Sequence, residues 1–170
     1  SGTINDVRKV ADISHRFGAE VVVDAVHYAP HSLIDVEEMG CDYLLCSPYK
    51  FFGPHQGLLW GRAERMSKLP VAKLRVSSDL MPFRWMTGTQ SHEGMAGTKA
   101  AIDHIAWVGR EYSRNESLSR RSALIVAYDA IEKYERSLCL RMLEGLGEID
   151  GLKIWGITDP DRIAERSPTI

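Results

Sequence analysis

The sequence predicts an α/β fold: a sheet with helices, followed by one long helix. Three observations carry this. Short apolar runs recur at 19–24, 43–47 and 57–61, each bounded by turn residues. Helical patterns alternate with them, the rhythm of an α/β sheet. From about 117 to 146, apolar residues step by three and four through Ile125, Tyr128, Ile131, Tyr134, Leu138, Met142 and Leu146, which marks one face of a long helix.

Taken in order, Thr3, Asn5 and Asp6 offer caps for a first helix. Val7, Val10, Ala11 and Phe17 repeat at helical spacing, and Gly18 supplies the stop. Residues 19–24 read as a buried strand, β-branched and without alternation. A short helix is expected over 35–39, ending at Gly40. The strands at 43–47 and 57–61 follow. The third should run antiparallel to the second, because the segment between them is too short for a crossover helix. Residues 62–68 read as a short helix. The stretch 69–90 contains Pro70, Pro82 and Gly88 with no clean period and reads as mostly loop. Residues 94–109 form a helix with Ala100, Ala101, Ile105 and Val108 inward. A strand is expected at 152–157, and another is expected to begin at Ser167-Pro168-Thr169-Ile170.

The bulk numbers narrow the function classes. A chain of 170 residues suffices for one domain with a core, and 44% hydrophobic residues is ordinary for one. A net charge of -2 implies no nucleic-acid partner. The six histidines lack metal-ligand spacing, so no metal is expected. Cys41, Cys46 and Cys139 read as reduced thiols of a cytoplasmic protein. No signal peptide is visible and no apolar stretch is long enough to span a bilayer, so no membrane partner is expected.

Two residues suggest chemistry. Asp24 ends the run Val21-Val22-Val23. Lys50 sits in Ser47-Pro48-Tyr49-Lys50, past the second apolar run and before Gly53-Pro54. A carboxylate and an amine at the mouths of buried strands are what holding pyridoxal phosphate requires. The amine forms a Schiff base with the aldehyde, and the carboxylate keeps the pyridine nitrogen protonated so that the ring is an electron sink. Each also has a plainer reading, Asp24 as a cap or loop residue and Lys50 as a surface lysine.

The ordered set Asp24-x-x-His27, Ser47-Pro48-Tyr49-Lys50, Gly53-Pro54, Gly57 and Gly88-Thr89 resembles the fold-type I pyridoxal-phosphate enzymes of aminotransferase class V, most nearly the cysteine desulfurase-like branch. The resemblance covers nearly the whole chain. It implies that residues 1–115 are part of a large cofactor-binding domain, 116–150 a long connecting helix, and 151–170 the start of a smaller domain. It also implies that such enzymes are at least twice as long, with a phosphate-cradling turn and a ring-stacking residue before this stretch and a nucleophilic cysteine loop beyond it.

The same resemblance assigns roles. Lys50 would form the Schiff base and later move the substrate α-proton, and partial burial would help keep its amine unprotonated. Asp24 would pair with the pyridinium nitrogen. His27 holds a position often filled by Gln and would donate to the phenolic oxygen. Ser47 and Tyr49 would donate to the phosphate. Gly88 and Thr89 would reach the cofactor of a neighbouring subunit, with a homodimer implied. The substrate class is a small amino acid.

Other residues read more plainly. His55 is expected to be a solvent-facing turn residue, and Cys41, Cys46 and Cys139 core residues. Arg84, Trp85 and His92 flank the Gly-Thr segment without a decided role. Asp24 and Lys50 should project from one sheet edge across a cleft, on the order of 5–10 Å apart. An alternative is a non-catalytic remnant serving as a binding or oligomerisation module. For the isolated chain, unpaired strand edges and an apolar helix face predict a homo-oligomer with weak or absent pyridoxal phosphate.

Overall fold

A computed structural model describes residues 2–86 and 88–169. The sequence readings that touch Ser1, Thr87 and Ile170 lie outside the described residues.

Helix α1 spans Val7–Arg16 and opens where the Asp6 carboxylate accepts from Lys9 N. The chain leaves it through Gly18, whose φ of +71° suits glycine. Strand β1 is Val22–Asp24, shorter than expected. Helix α2, Val36–Met39, is capped by Asp35, which accepts from the N–H groups of Glu37 and Glu38, and it ends at Gly40 in the left-handed region. Strand β2 is Tyr43–Cys46, followed by a 3-10 turn at Pro48–Lys50, then β3 at Leu58–Gly61. The short helix α3 spans Ala63–Met66. The expected loop follows, broken among the described residues only by a 3-10 turn at Phe83–Trp85. Helices α4 (His92–Ser113) and α5 (Arg120–Gly147) complete the regular structure, with a final 3-10 turn at Pro160–Glu165.

The three strands form one sheet in the order β1-β2-β3. β1 and β2 are parallel, with Val22 opposite Tyr43 and Asp24 opposite Leu45. β3 runs antiparallel to β2, with Leu44 opposite Trp60, as the connection length requires. Ala11, Val21, Ala25, Leu44, Phe51 and Ile105 share one core with residues of α5. There the Tyr128 hydroxyl donates to Ala29 O at 2.8 Å. Burial, with Cys46 adding to it, pushes that hydroxyl up to about 12. Helices α4 and α5 pack through small residues: Ala106, Gly109, Ala123 and Ala127 are all buried.

Asp42 holds the start of β1 in place. It is 1% exposed. Its Oδ2 accepts from Val21 N and from His15 Nε2, both at 2.8 Å, and its Oδ1 accepts from Arg65 Nε at 3.2 Å. Burial pushes the carboxyl up. The hydrogen bonds from His15 and Val21 and the charges of His15 and Arg65 outweigh burial and hold it below the usual carboxylate range.

Several expectations need correction; Ala100, expected inward on α4, is exposed. β1 is not buried: Val22 is 60% exposed, because β1 is a sheet edge paired on one side only among the described residues. The expected inward stripe of α5 is only partly buried, since Ile125, Tyr134, Leu138 and Met142 are exposed while Ala123, Ala127, Tyr128, Cys139 and Leu143 are covered. Close helix packing selects alanines, which a hydrophobic count passes over. No strand forms at 152–157. The carbonyls of Trp155 and Ile157 accept instead from the buried Arg166 guanidinium at 3.2 and 2.8 Å. Near the end of the chain, the only strand-like pairing among the described residues is an isolated antiparallel bridge between Thr3 and Arg166.

Candidate active site at the sheet edge

Because β1 and β2 are parallel and in register, their carboxyl ends meet at one edge of the sheet. Asp24 is the last residue of β1. Lys50 closes the 3-10 turn that begins two residues after β2. Both emerge where open α/β sheets bind ligands.

Asp24 is exposed, and one of its oxygens, Oδ1, accepts from Val26 N at 2.9 Å. The turn beyond it is tied by Ala29 N donating to Ala25 O at 2.8 Å. This turn carries His27. Asp24, His27 and Tyr28 line a cavity of about 790 Å³, whose other wall is the N-terminal segment through Asn5, Asp6 and Val7. Ser47, Tyr49, Lys50, Gly88 and Thr89 do not line that cavity.

The Lys50 turn is built from its own backbone. Lys50 N donates to Ser47 O at 3.0 Å, Phe51 N to Pro48 O at 2.9 Å, and Gly53 N to Pro48 O at 2.8 Å. Gly53 is required here, since a Cβ would sit 2.7 Å from Pro48 Cβ. Phe52 accepts a φ of +67° in the same turn. Ser47 occupies the cap position but makes no side-chain cap bond, and it is half-buried. The expected partial burial of Lys50 is not found: its turn stands beyond the strand end and the residue is exposed. Tyr49, 45% exposed, stacks on His55 with centroids 4.7 Å apart and planes 14° from parallel. His55 is thus an exposed residue of the following loop, as expected, and it packs on Tyr49. Gly88 and Thr89 lie exposed in the loop before α4, where Gln90 Nε2 donates to Gly88 O at 3.2 Å.

The three cysteines are buried, as expected. Burial pushes the Cys41 and Cys46 thiols up, so neither is a ready nucleophile. Two contacts escaped sequence reasoning. One is Asp42, whose only signal is its place beside an apolar run. The other is His31, whose Nδ1 lies 2.9 Å from Glu135 Oε2. No local pattern joins residues 104 positions apart.

Comparison with known proteins names the family. The aminotransferase class-V family matches residues 1–167. The chain belongs to that family. Among its relatives, a probable cysteine desulfurase of Halalkalibacterium halodurans is 33% identical over 167 residues, which cover 91% of this chain and 37% of the relative. An aminotransferase-like protein of Gibberella zeae is 33% identical over 171 residues, covering 99% and 39%. Among solved structures, a cysteine desulfurase of Thermococcus onnurineus superposes with a TM-score of 0.74 at 24% identity, covering 98% of this chain and 40% of that one. The Escherichia coli cysteine desulfurase CsdA gives 0.63 at 25% identity, over 86% and 35%. The chain therefore spans less than two fifths of the length of the curated relatives named.

Proposed function

We propose that this chain supplies the Lys50 and Asp24 side of a pyridoxal-phosphate-dependent enzyme acting on an amino acid, in the manner of the cysteine desulfurases it resembles. The observation that carries the reading is the parallel, in-register pairing of β1 and β2, which brings Asp24 and the Lys50 turn to one sheet edge.

The donor set fits the group. Asp24 offers a carboxylate oxygen that has no donor among the described residues, Lys50 an exposed amine, and Ser47 an uncommitted hydroxyl. When bound, pyridoxal phosphate supplies an electron sink for the carbon next to the amino group. Asp24 would keep the pyridine nitrogen protonated. His27 would donate to the phenolic oxygen, and Ser47 and Tyr49 would donate to the phosphate. Lys50 Nζ would hold the cofactor covalently and then carry the α-proton. Gly88 and Thr89 would approach the cofactor of a second subunit in a homodimer. On this reading residues 1–115 belong to the cofactor-binding domain, 116–150 to a connecting helix, and 151–170 to the start of a smaller one.

The test is borohydride trapping. Protein incubated with pyridoxal 5'-phosphate should absorb near about 420 nm, and reduction followed by peptide mapping should place the label on Lys50. Label elsewhere, or none in the intact enzyme, refutes the assignment. A second reading, an oligomerisation module without catalysis, draws on the exposed Tyr134, Leu138 and Met142 of α5. It predicts association in the absence of trapping.

A further inference from the structure

Between the candidate site and the long helix lies a run of side chains that the chemistry above does not use. His31 follows His27 by four residues on the turn after β1. The two imidazoles stack, with centroids 6.1 Å apart and planes 29° from parallel. The backbone beneath them is fixed: His31 N and Ser32 N both donate to Tyr28 O at 3.0 Å. On its other side, His31 Nδ1 meets Glu135 Oε2 of α5 at 2.9 Å. A carboxylate can only accept, so Nδ1 carries the hydrogen. That bond fixes both the tautomer and the plane of the His31 ring. Burial runs the same way. The His31 and Glu135 side chains are 21% and 28% exposed, whereas His27 is exposed and lines the cavity beside Asp24.

We infer that His31 is a positioning residue: anchored by Glu135, it holds the His27 ring in the orientation from which His27 can donate to a ligand beside Asp24. The ligand class is the one proposed above, a pyridine ring bearing a phenolic oxygen, so this inference rests on that reading. An exposed imidazole left to itself must be ordered when the ligand arrives. Ordering it beforehand is worth about 2- to 10-fold in affinity, the scale of one immobilised side chain.

The experiment uses 15N-labelled protein, pyridoxal 5'-phosphate as the probe, and the variants His31→Ala, His31→Phe, Glu135→Ala, His27→Ala and Lys50→Ala. Imidazole nitrogen spectra report tautomer and environment, and spectrophotometric titration gives the dissociation constant. His31 should show hydrogen on Nδ1 and lose that preference in Glu135→Ala. The His27 resonances should move towards those of free histidine in His31→Ala. Affinity should fall about 2- to 10-fold in both variants. His31→Phe keeps a flat ring under His27 but cannot bond Glu135, so it should recover only part of the loss and part of the change in the His27 resonances, and it is the resonances that a merely structural role would not move. If His27→Ala weakens binding while His31→Ala and Glu135→Ala do not, the inference is overturned. It is equally overturned if the His27 resonances ignore both changes. If His27→Ala and Lys50→Ala leave affinity unchanged while the His27 resonances still respond to His31→Ala, the positioning contact stands and the cofactor reading falls. Should His31→Ala fail to fold, Glu135→Ala and His31→Phe carry the same readouts.

Discussion

Asp42→Ala should destabilise the protein by about 2–4 kcal/mol, and the figure follows from three partners. Val21 N–H is buried and has Asp42 as its acceptor. Removing that acceptor leaves an unpaired buried donor, which costs about 1–3 kcal/mol. His15 and Arg65 are 36% and 39% exposed, so water can replace the carboxylate for each, and those losses are about 0.2–1 kcal/mol apiece. The total stays below the cost of stranding a buried charge, because no cation here is buried. Urea unfolding should show the midpoint falling by about 1–2 M at unchanged slope. Asp42→Asn can still accept from Val21 N, so it should lose less, about 1–2 kcal/mol. The pH dependence has a definite sign. The folded carboxyl lies below its ordinary value, so its stabilisation is complete above an unfolded pKa of about 3.9 and disappears as pH falls through the depressed folded value. The gap between wild type and Asp42→Asn should therefore narrow on acidification below about pH 4. A midpoint change worth less than about 0.5 kcal/mol in Asp42→Ala, or a gap that stays constant into acid, would refute the account.

Local signals made much of the fold legible. Asp35 and Gly40 bracket α2 because a cap carboxylate and a left-handed glycine act within one turn. β2 was readable as an uninterrupted apolar run, and the short connection dictated the antiparallel return of β3. Where partners are distant in the chain, the signal disappears. The 152–157 segment has strand-like composition, yet a strand needs a neighbour, and Arg166 takes its carbonyls instead. The stripe on α5 misled because α4 approaches too closely for large side chains, so alanines face it. In the site, residue types and order pointed to the sheet edge, since chain direction and strand ends are sequence properties. Exposure is not one. The partial burial expected of Lys50 came from the role that the resemblance implies, and the residue is exposed where the turn ends beyond β2.

The other predictions concern the site and the helix pair. On the proposed reading, Lys50→Ala in the full-length protein should abolish borohydride trapping and lower turnover by about 10²–10⁴-fold; unchanged turnover rules out the assignment. Asp24→Asn keeps the shape and loses the charge, and should weaken cofactor binding by about 10- to 100-fold, read by spectrophotometric titration against Asp24→Ala. Light scattering at micromolar concentration should show a dimer, and a compact monomer would count against Gly88 and Thr89 working across subunits. Gly109→Ala sets two effects against each other. Alanine in a helix interior gains about 1 kcal/mol over glycine. At this position, however, a Cβ would lie 2.8 Å from the Ala123 carbonyl carbon and 3.1 Å from Ala127 N. Those are backbone atoms of α5, so no side chain can swing aside, and the helices must separate along a contact that also seats Tyr128. Overpacking of this kind costs about 1–3 kcal/mol, enough to cancel or exceed the propensity gain. The urea midpoint of Gly109→Ala should therefore fall. If it rises by the full propensity gain, α4 and α5 do not cross at Gly109 as closely as their packing requires.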